Sequence, residues 1–217
     1  MTPTPDPVVT ASGGPGRVAA LTLDDGPNGA ATAALLDLFA AHGVRATFCV
    51  VGAQVRAAGG AEVLRRTVAE GHLLAAHGMT FADQGAWDPE RVRADLRATV
   101  AVIRDALGDP AARVPWFRAP NGSWGRSAAV AVELGLQPLG VTGTIDDWRT
   151  QHVDTLVANL RAAIRPGGIV LAHDGGGDRW GTVQALRTVL PQWLDAGWHF
   201  TRPAHPDLDA SPRAGDE

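Results

Sequence analysis

The sequence predicts a single-domain α/β fold, a (β/α) barrel of about seven strands, on three observations. Short apolar runs alternate with segments whose apolar residues recur at helical spacing, the pattern of a parallel sheet covered by helices. Polar, chemistry-bearing residues follow the C-terminal ends of several different strands: Asp24 and Asp25, His77, Arg118, Asp147 and His173. A barrel gathers all such ends at one mouth, whereas the crevice of an open sheet draws on fewer strands. Finally, 217 residues with 45% hydrophobic content can bury one core without disulfides or a structural metal. Because only seven strands are visible rather than eight, the barrel is expected to be incomplete or distorted.

The elements follow in order. Val18 to Leu23 is an apolar run that stops in Asp24-Asp25-Gly26-Pro27, a strand and its turn. Thr32 to His42 carries Leu35, Leu36 and Phe39 at helical spacing and ends at Gly43. Ala46 to Val51 is β-branched and aromatic, a buried strand. A helix over Ala61 to Glu70 ends at Gly71, and Leu73 to Ala76 is a strand leading to His77. Asp88-Pro89 places a capping side chain before a proline at the first helical position. The helix it starts presents Val92, Leu96, Val100, Ile103 and Leu107 inward and stops at Gly108. Trp116 to Arg118 is a strand, Ser127 to Leu134 a helix, and Leu139 to Val141 a strand. Val153 to Ile164 is a helix, Ile169 to Ala172 a strand, Thr182 to Ala196 a helix and Trp198 to Phe200 the last strand.

Residues 1–16 and 203–217 are rich in Pro, Gly and polar residues and read as flexible tails around a domain over 17–202. The first sixteen residues lack the charged start and apolar middle of a secretory signal, which leaves localisation open, the cytoplasm included. No apolar run is long enough to cross a bilayer, so no membrane partner is expected. A formal charge of -4 argues against nucleic acid, which demands a cationic face. All the basic residues are Arg and Tyr is absent, a bias that GC-rich codons explain. A single Cys excludes a disulfide framework, and Cys49, within an apolar strand, reads as a packing residue.

Adjacent carboxylates at Asp24 and Asp25 suit a division of labour, one holding a cation while the other stays free as a base. Arg118 suits the counter-charge that keeps the base ionised. His77 ends an apolar strand and is the better ligand candidate, while His72 begins that strand and reads as structural. His173, at the end of another apolar strand, can donate a proton to a leaving group. Each histidine alone is more often a packing residue; gathered at strand ends they point to catalysis. The glycine-rich run Asp174 to Gly181 lacks the Lys-Ser/Thr of a phosphate loop and reads as a mobile rim in which Trp180 stacks on substrate. Trp87 and Trp124, also in loops, are either rim platforms or wall residues.

The ordered set Thr22-Leu23-Asp24-Asp25-Gly26, His77, Arg118-Ala119-Pro120-Asn121-Gly122, Asp147-Trp148 and Leu171-Ala172-His173-Asp174 resembles the polysaccharide deacetylases of carbohydrate esterase family 4, the NodB homology domain. The resemblance spans about Arg17 to Arg202. It implies an irregular, TIM-like barrel that removes acetyl groups from sugars with a divalent metal (zinc, cobalt or nickel). It makes Asp24 the base, Asp25 and His77 metal ligands, His173 the acid, Arg118 the partner of Asp24 and Asp147 the partner of His173. Trp148 and Leu171 would wall the acetyl pocket, and the backbone N–H at Asn121 would face the oxyanion. The expected partner is an acetylated carbohydrate or a small molecule.

One motif departs from the family. Its second motif reads His-(Ser/Thr)-x-x-His, whereas here His77-Gly78-Met79-Thr80-Phe81 puts a phenylalanine at the second imidazole. Catalytic zinc usually has three protein ligands. Asp83 as a substitute ligand, a site completed by water, and catalysis without metal all remain open, and so does a metal-independent enzyme acting on a small metabolite. A non-catalytic binding module is the third reading, against which the retention of base, acid and arginine counts.

Overall fold

The computed structural model describes residues 8–209. Its strands are β1 (Val18–Asp24), β2 (Thr47–Val50), β3 (Leu73–Ala76), β4 (Trp116–Phe117), β5 (Gln137–Pro138), β6 (Gly143–Thr144), β7 (Ile169–His173) and β8 (His199–Thr201). They form one sheet in the order β5-β4-β3-β2-β1-β7-β6, with β8 added against β1, and every pairing between them is parallel. The sheet curls into a half-barrel, since β5 and β6 end the order without pairing to each other. The helices are α1 (Gly29–His42), α2 (Gly52–Arg56), α3 (Gly60–Ala69), α4 (Pro89–Leu107), α5 (Ser127–Glu133), α6 (Val153–Ala163), α7 (Trp180–Asp195) and α8 (Pro206–Asp209).

Strand alternation sorts the two faces of the sheet. Leu21 and Leu23 of β1 join Phe48, Phe117 and Val170 in the large core beneath the helices. Ala20 faces the other way, with Cys49, Ala75, Trp116 and Ile169 packed inside the curl. Thr22 and Asp24 share the face of Ala20, so β1 delivers its last carboxylate into the barrel interior. Helix α4 starts as the sequence predicts: the Asp88 carboxylate accepts the Arg91 N–H at 3.0 Å, a cap worth about 1 kcal/mol, and Gly108 closes the helix at φ 66.

Four expectations need correction. The strand expected over Leu139 to Val141 is replaced by β5 and β6 on either side of it. The carbonyls of Leu139 and Gly140 accept from Arg118 Nε (3.2 Å) and Nη2 (3.0 Å), so they serve the site rather than the sheet. The short helix α2 is additional, too brief to leave a periodic signature. Residues 8–16 are held rather than loose: Val9 pairs with Leu139, and Ser12, which is buried, with Pro203. Beyond β8, His205 is buried against the Trp116 ring at 5.4 Å and α8 follows, so the folded part extends past 202. The rest of the two expected tails, 1–7 and 210–217, lies outside the described residues.

Candidate active site

β1 and β7 are in register with Asp24 opposite His173, which sets the two groups side by side at the barrel mouth. Asp25 leaves the strand at φ 76, a conformation that few residues other than glycine adopt, and this turn brings its carboxylate round to the side of Asp24. Both then face His77 Nε2, Asp25 Oδ1 at 3.4 Å and Asp24 Oδ2 at 3.6 Å. The turn needs small neighbours. A Cβ on Gly26 would lie 2.1 Å from Asp174 Oδ2, and one on Gly175 would lie 2.0 Å from the Asp25 carbonyl.

Asp24 is buried and receives Arg118 Nη1 at 2.7 Å. Burial alone would raise its carboxyl, but Arg118 above all, then His77 and His173, hold it below the usual carboxylate range. The same Nη1 donates to Thr22 Oγ1 at 2.8 Å, and Thr22 donates in turn to the Val170 carbonyl. With Leu139 and Gly140 on its remaining edge, the guanidinium is fixed in place by four partners.

On the opposite wall, Asp147 is buried and accepts at 2.6 Å from His173 Nδ1. It also accepts from the His173 backbone N–H and from the Thr182 hydroxyl, each at 2.8 Å. Burial disfavours the His173 imidazolium, yet Asp147 outweighs it, with Asp24 and Asp25 adding to the effect, so His173 titrates above an ordinary histidine. With Nδ1 committed to Asp147, Nε2 is the atom left to exchange a proton.

His77 has the complementary arrangement. Its Nδ1 lies 2.8 Å from the Arg118 carbonyl, which can only accept, so one ring proton sits there; Nε2 faces Asp24 and Asp25, and although burial disfavours the imidazolium these two carboxylates raise the pKa of the ring. Two carboxylates around one imidazole nitrogen favour positive charge there, carried by the second ring proton or by a metal ion. By chemical type, Asp25 and His77 supply two donors that suit a divalent ion. Among the described residues, however, no group of three or more His, Cys, Asp or Glu side chains is placed to hold a metal. Phe81 lines the same cavity and offers no ligand atom. Asp83 is not a substitute in this arrangement: it is exposed, its Oδ1 accepts the Gly85 N–H at 2.7 Å, and Ser123 bonds it as well.

These groups surround a cavity of about 770 Å³, lined also by Asn121, Trp124, Trp148 and Leu171. Asn121 adopts φ 58, and its side chain donates to the Phe81 carbonyl at 3.4 Å. Trp148 is 51% exposed and meets the His173 ring edge-on at 5.4 Å. Across Asp25, Phe81 and Trp148 lies a second hollow of about 670 Å³. Trp180 is not brought in; it is exposed at the start of α7 and lines neither hollow. The loop before it is pinned rather than mobile, because Arg179, buried, donates to the carbonyls of Gly175, Gly176 and Asp147. Trp87 lies against Arg91, whose guanidinium carbon is 3.9 Å from the ring centroid. His72 is structural as expected, buried beside Phe39 and Phe48 and accepting the Ala46 N–H; burial drops its pKa to about 4.

Sequence reasoning missed Thr22, Thr182 and Arg179. Thr22 was within reach, since it lies two residues before Asp24 on a strand and so shares its face. The other two act through backbone carbonyls and a buried carboxylate and leave no motif.

Fold and site together describe a hydrolytic centre at the mouth of a half-barrel. The sequence profile of the polysaccharide deacetylases matches residues 11–139, and the chain belongs to that family. A chitooligosaccharide deacetylase of Bradyrhizobium sp. (strain ANU 289) is 41% identical over 192 residues, 83% of this chain and 86% of that protein. A peptidoglycan-N-acetylglucosamine deacetylase of Bacillus cereus is 29% identical over 187 residues, 85% of each. Among solved structures, a family 4 acetyl xylan esterase from Clostridium thermocellum in complex with a cobalt ion superposes with a TM-score of 0.76 at 30% identity, covering 85% of this chain and 87% of that one. The chain is thus an enzyme of the deacetylase class of hydrolases.

Proposed function

We propose that this protein hydrolyses the acetyl group of an N- or O-acetylated sugar, with Asp24 as base and His173 as acid. The observation that carries the reading is the pairing of two buried salt bridges, Arg118–Asp24 and Asp147–His173, set side by side at one mouth by the β1–β7 register. One pair keeps a carboxylate ionised and the other keeps an imidazole protonated, the division that general base and general acid need. The substrate class follows from the relatives, whose names describe deacetylases of chitooligosaccharides and of peptidoglycan N-acetylglucosamine.

Asp24 takes a proton from the water that attacks the acyl carbon, and Arg118 holds the carboxylate ionised beforehand. As the C–N or C–O bond breaks, His173 Nε2 delivers its proton to the departing nitrogen or oxygen, leaving acetate and an amine or alcohol. Asp147 stabilises the imidazolium until that moment. The backbone N–H at Asn121 is read as a donor to the developing oxyanion, and Trp148 and Leu171 as walls of the acyl site. Asp25 and His77 would hold a divalent ion. Such an ion, when bound, polarises the acyl carbonyl and lowers the pKa of water. Phe81 stands where the family resemblance places a second imidazole, so we read this cradle as a two-ligand version that binds its ion more weakly.

The test is acetate release from N-acetylated chitooligosaccharides with added zinc, cobalt or nickel. Asp24→Asn and His173→Ala should each reduce kcat by about 10²–10⁴-fold, the usual weight of general acid–base catalysis. Undiminished release by both variants would remove this pair from the mechanism.

A further inference from the structure

The half-barrel has an open seam between β5 and β6, and the chain's own N-terminal segment fills it. The Val9 N–H donates to the Pro138 carbonyl at 2.9 Å and the Gly140 N–H to the Val9 carbonyl at 2.8 Å, so Val9 lies parallel to Leu139 like a one-residue strand. Farther on, the Ser12 N–H donates to Gly167 and the Ala204 N–H to Ala11, which ties the segment to the chain entering β7 and leaving β8. Val9 packs inside the curl with Trp116, Leu139 and Ile169. Its neighbours Val8 and Thr10 line the catalytic cavity, as extended alternation requires. They cross Gly140 closely; a Cβ there would lie 2.9 Å from a methyl carbon of each.

Polarity divides the two hollows. The outer one is lined by Arg149, Thr150 and Asp178, groups that can pair with sugar hydroxyls, while Gln151 and Arg179 are spent on backbone carbonyls and Thr182. With Thr10 and Thr144 as its polar members, the seam side of the catalytic cavity presents Val8, Leu139, Val141 and Leu171. Hydroxyls buried against those side chains would lack partners, whereas an acyl tail would lose nothing. We propose that the seam side is the acyl recess and that Val8 and Thr10 are its specificity-determining wall, setting the length of acyl group the site accepts. The proposal rests on the deacetylase reading and extends it to residues outside the catalytic motifs.

The test compares N-acetyl, N-propionyl and N-butyryl chitobiose against the parent protein, Val8→Ala and Val8→Phe. Two readouts are taken: the kcat/KM ratio between acyl lengths, and binding followed by fluorescence of Trp124 and Trp148, which line the cavity and report entry without turnover. A methylene in an apolar pocket is worth roughly tenfold or more. Val8→Ala should therefore raise the butyryl-to-acetyl ratio by about tenfold, and Val8→Phe should lower it by a similar factor, in rate and in binding alike. Should Val8→Phe fail to fold, Thr10→Val, nearly equal in volume, serves as the second variant and should improve butyryl binding. Ratios unchanged within about twofold in variants that melt with the parent would overturn the wall. If no protein releases any acid, the deacetylase reading fails, and the binding ratios alone decide whether the wall stands.

Discussion

Replacing Asp147 with Asn tests how the acid is kept charged. The carboxylate lies 2.6 Å from His173 Nδ1, with neither side chain more than about a tenth exposed. The substituted carboxamide can still accept from Nδ1–H through its oxygen, but its NH2 then faces the His173 N–H and Thr182, so the charge and the bond to that N–H are lost together. A hydrogen bond to a charged partner contributes roughly 1.5–3 kcal/mol, and each 1.36 kcal/mol is tenfold in a protonation equilibrium. The protonated fraction of His173 should therefore fall by a factor of about 10–150 at pH well above its midpoint. Asp147 raises His173, so removing it moves the alkaline limb of the kcat/KM profile toward lower pH. Below that limb, where both proteins carry the proton, the rates should converge. Stability follows the same sign. The raised imidazole contributes stability that is full below the ordinary histidine value and fades as pH rises through its folded one, so Asp147→Asn should destabilise most in acid. The assay is acetate release against pH, with NMR titration of the His173 ring in the resting protein as a check independent of turnover. An unmoved alkaline limb and an unmoved ring titration would refute the reasoning.

Two further predictions concern groups beside the pair. Asp174 is fully buried, and burial, only partly offset by the Thr32 hydroxyl at 2.6 Å, raises its pKa to about 7. The folded state thus retains a proton that the unfolded chain releases near pH 4, and stability from this group is lost between about pH 4 and 7. Asp174→Asn should therefore gain up to ~4 kcal/mol over the parent at pH 8 and little at pH 4, read from denaturant melts; a gain equal at both values would contradict it. Phe81→His should raise the metal content found by elemental analysis and tighten the ion by more than about tenfold, with acetate release rising alongside. No change in either would mean that Asp25 and His77 do not form the cradle.

The strands that carry Asp24 and His173 were legible because each is an apolar run broken by a charged residue, a pattern that marks both the strand and its mouth end. His77 was legible for the same reason. What local sequence could not show was which atoms these residues spend on each other. The use of His77 Nδ1 on the Arg118 carbonyl fixes which nitrogen faces Asp25, and that bond joins positions 41 residues apart. The seam was missed because Val8-Val9-Thr10 sits among prolines and glycines, where composition outweighs a β-branched triplet too short to register as a strand. The split of the expected strand at Leu139 has the same root. Its carbonyls are claimed by Arg118, a side chain from another strand, and no pattern within Leu139 to Val141 records that.

The bonding also decides what the phenylalanine can damage. Asp24 is kept ionised by Arg118, which is held in turn by Thr22, Leu139 and Gly140, and none of these bonds runs through Phe81. His173 is kept charged by Asp147, itself fixed by Thr182. Phe81 lines the cavity with both sets of groups, and its carbonyl accepts from Asn121. The loop that carries it is anchored at its start, where Asp95 accepts the Met79 N–H and Gln84 Nε2, each at 3.0 Å. That anchor and the bonds of Asp83 to Gly85 and Ser123 oppose any rearrangement that would bring a loop carboxylate inward. The bonds that set the charge of Asp24 and of His173 thus run through groups other than Phe81, while His77, which faces Asp24 and bonds the Arg118 carbonyl, is where the base and the cradle meet.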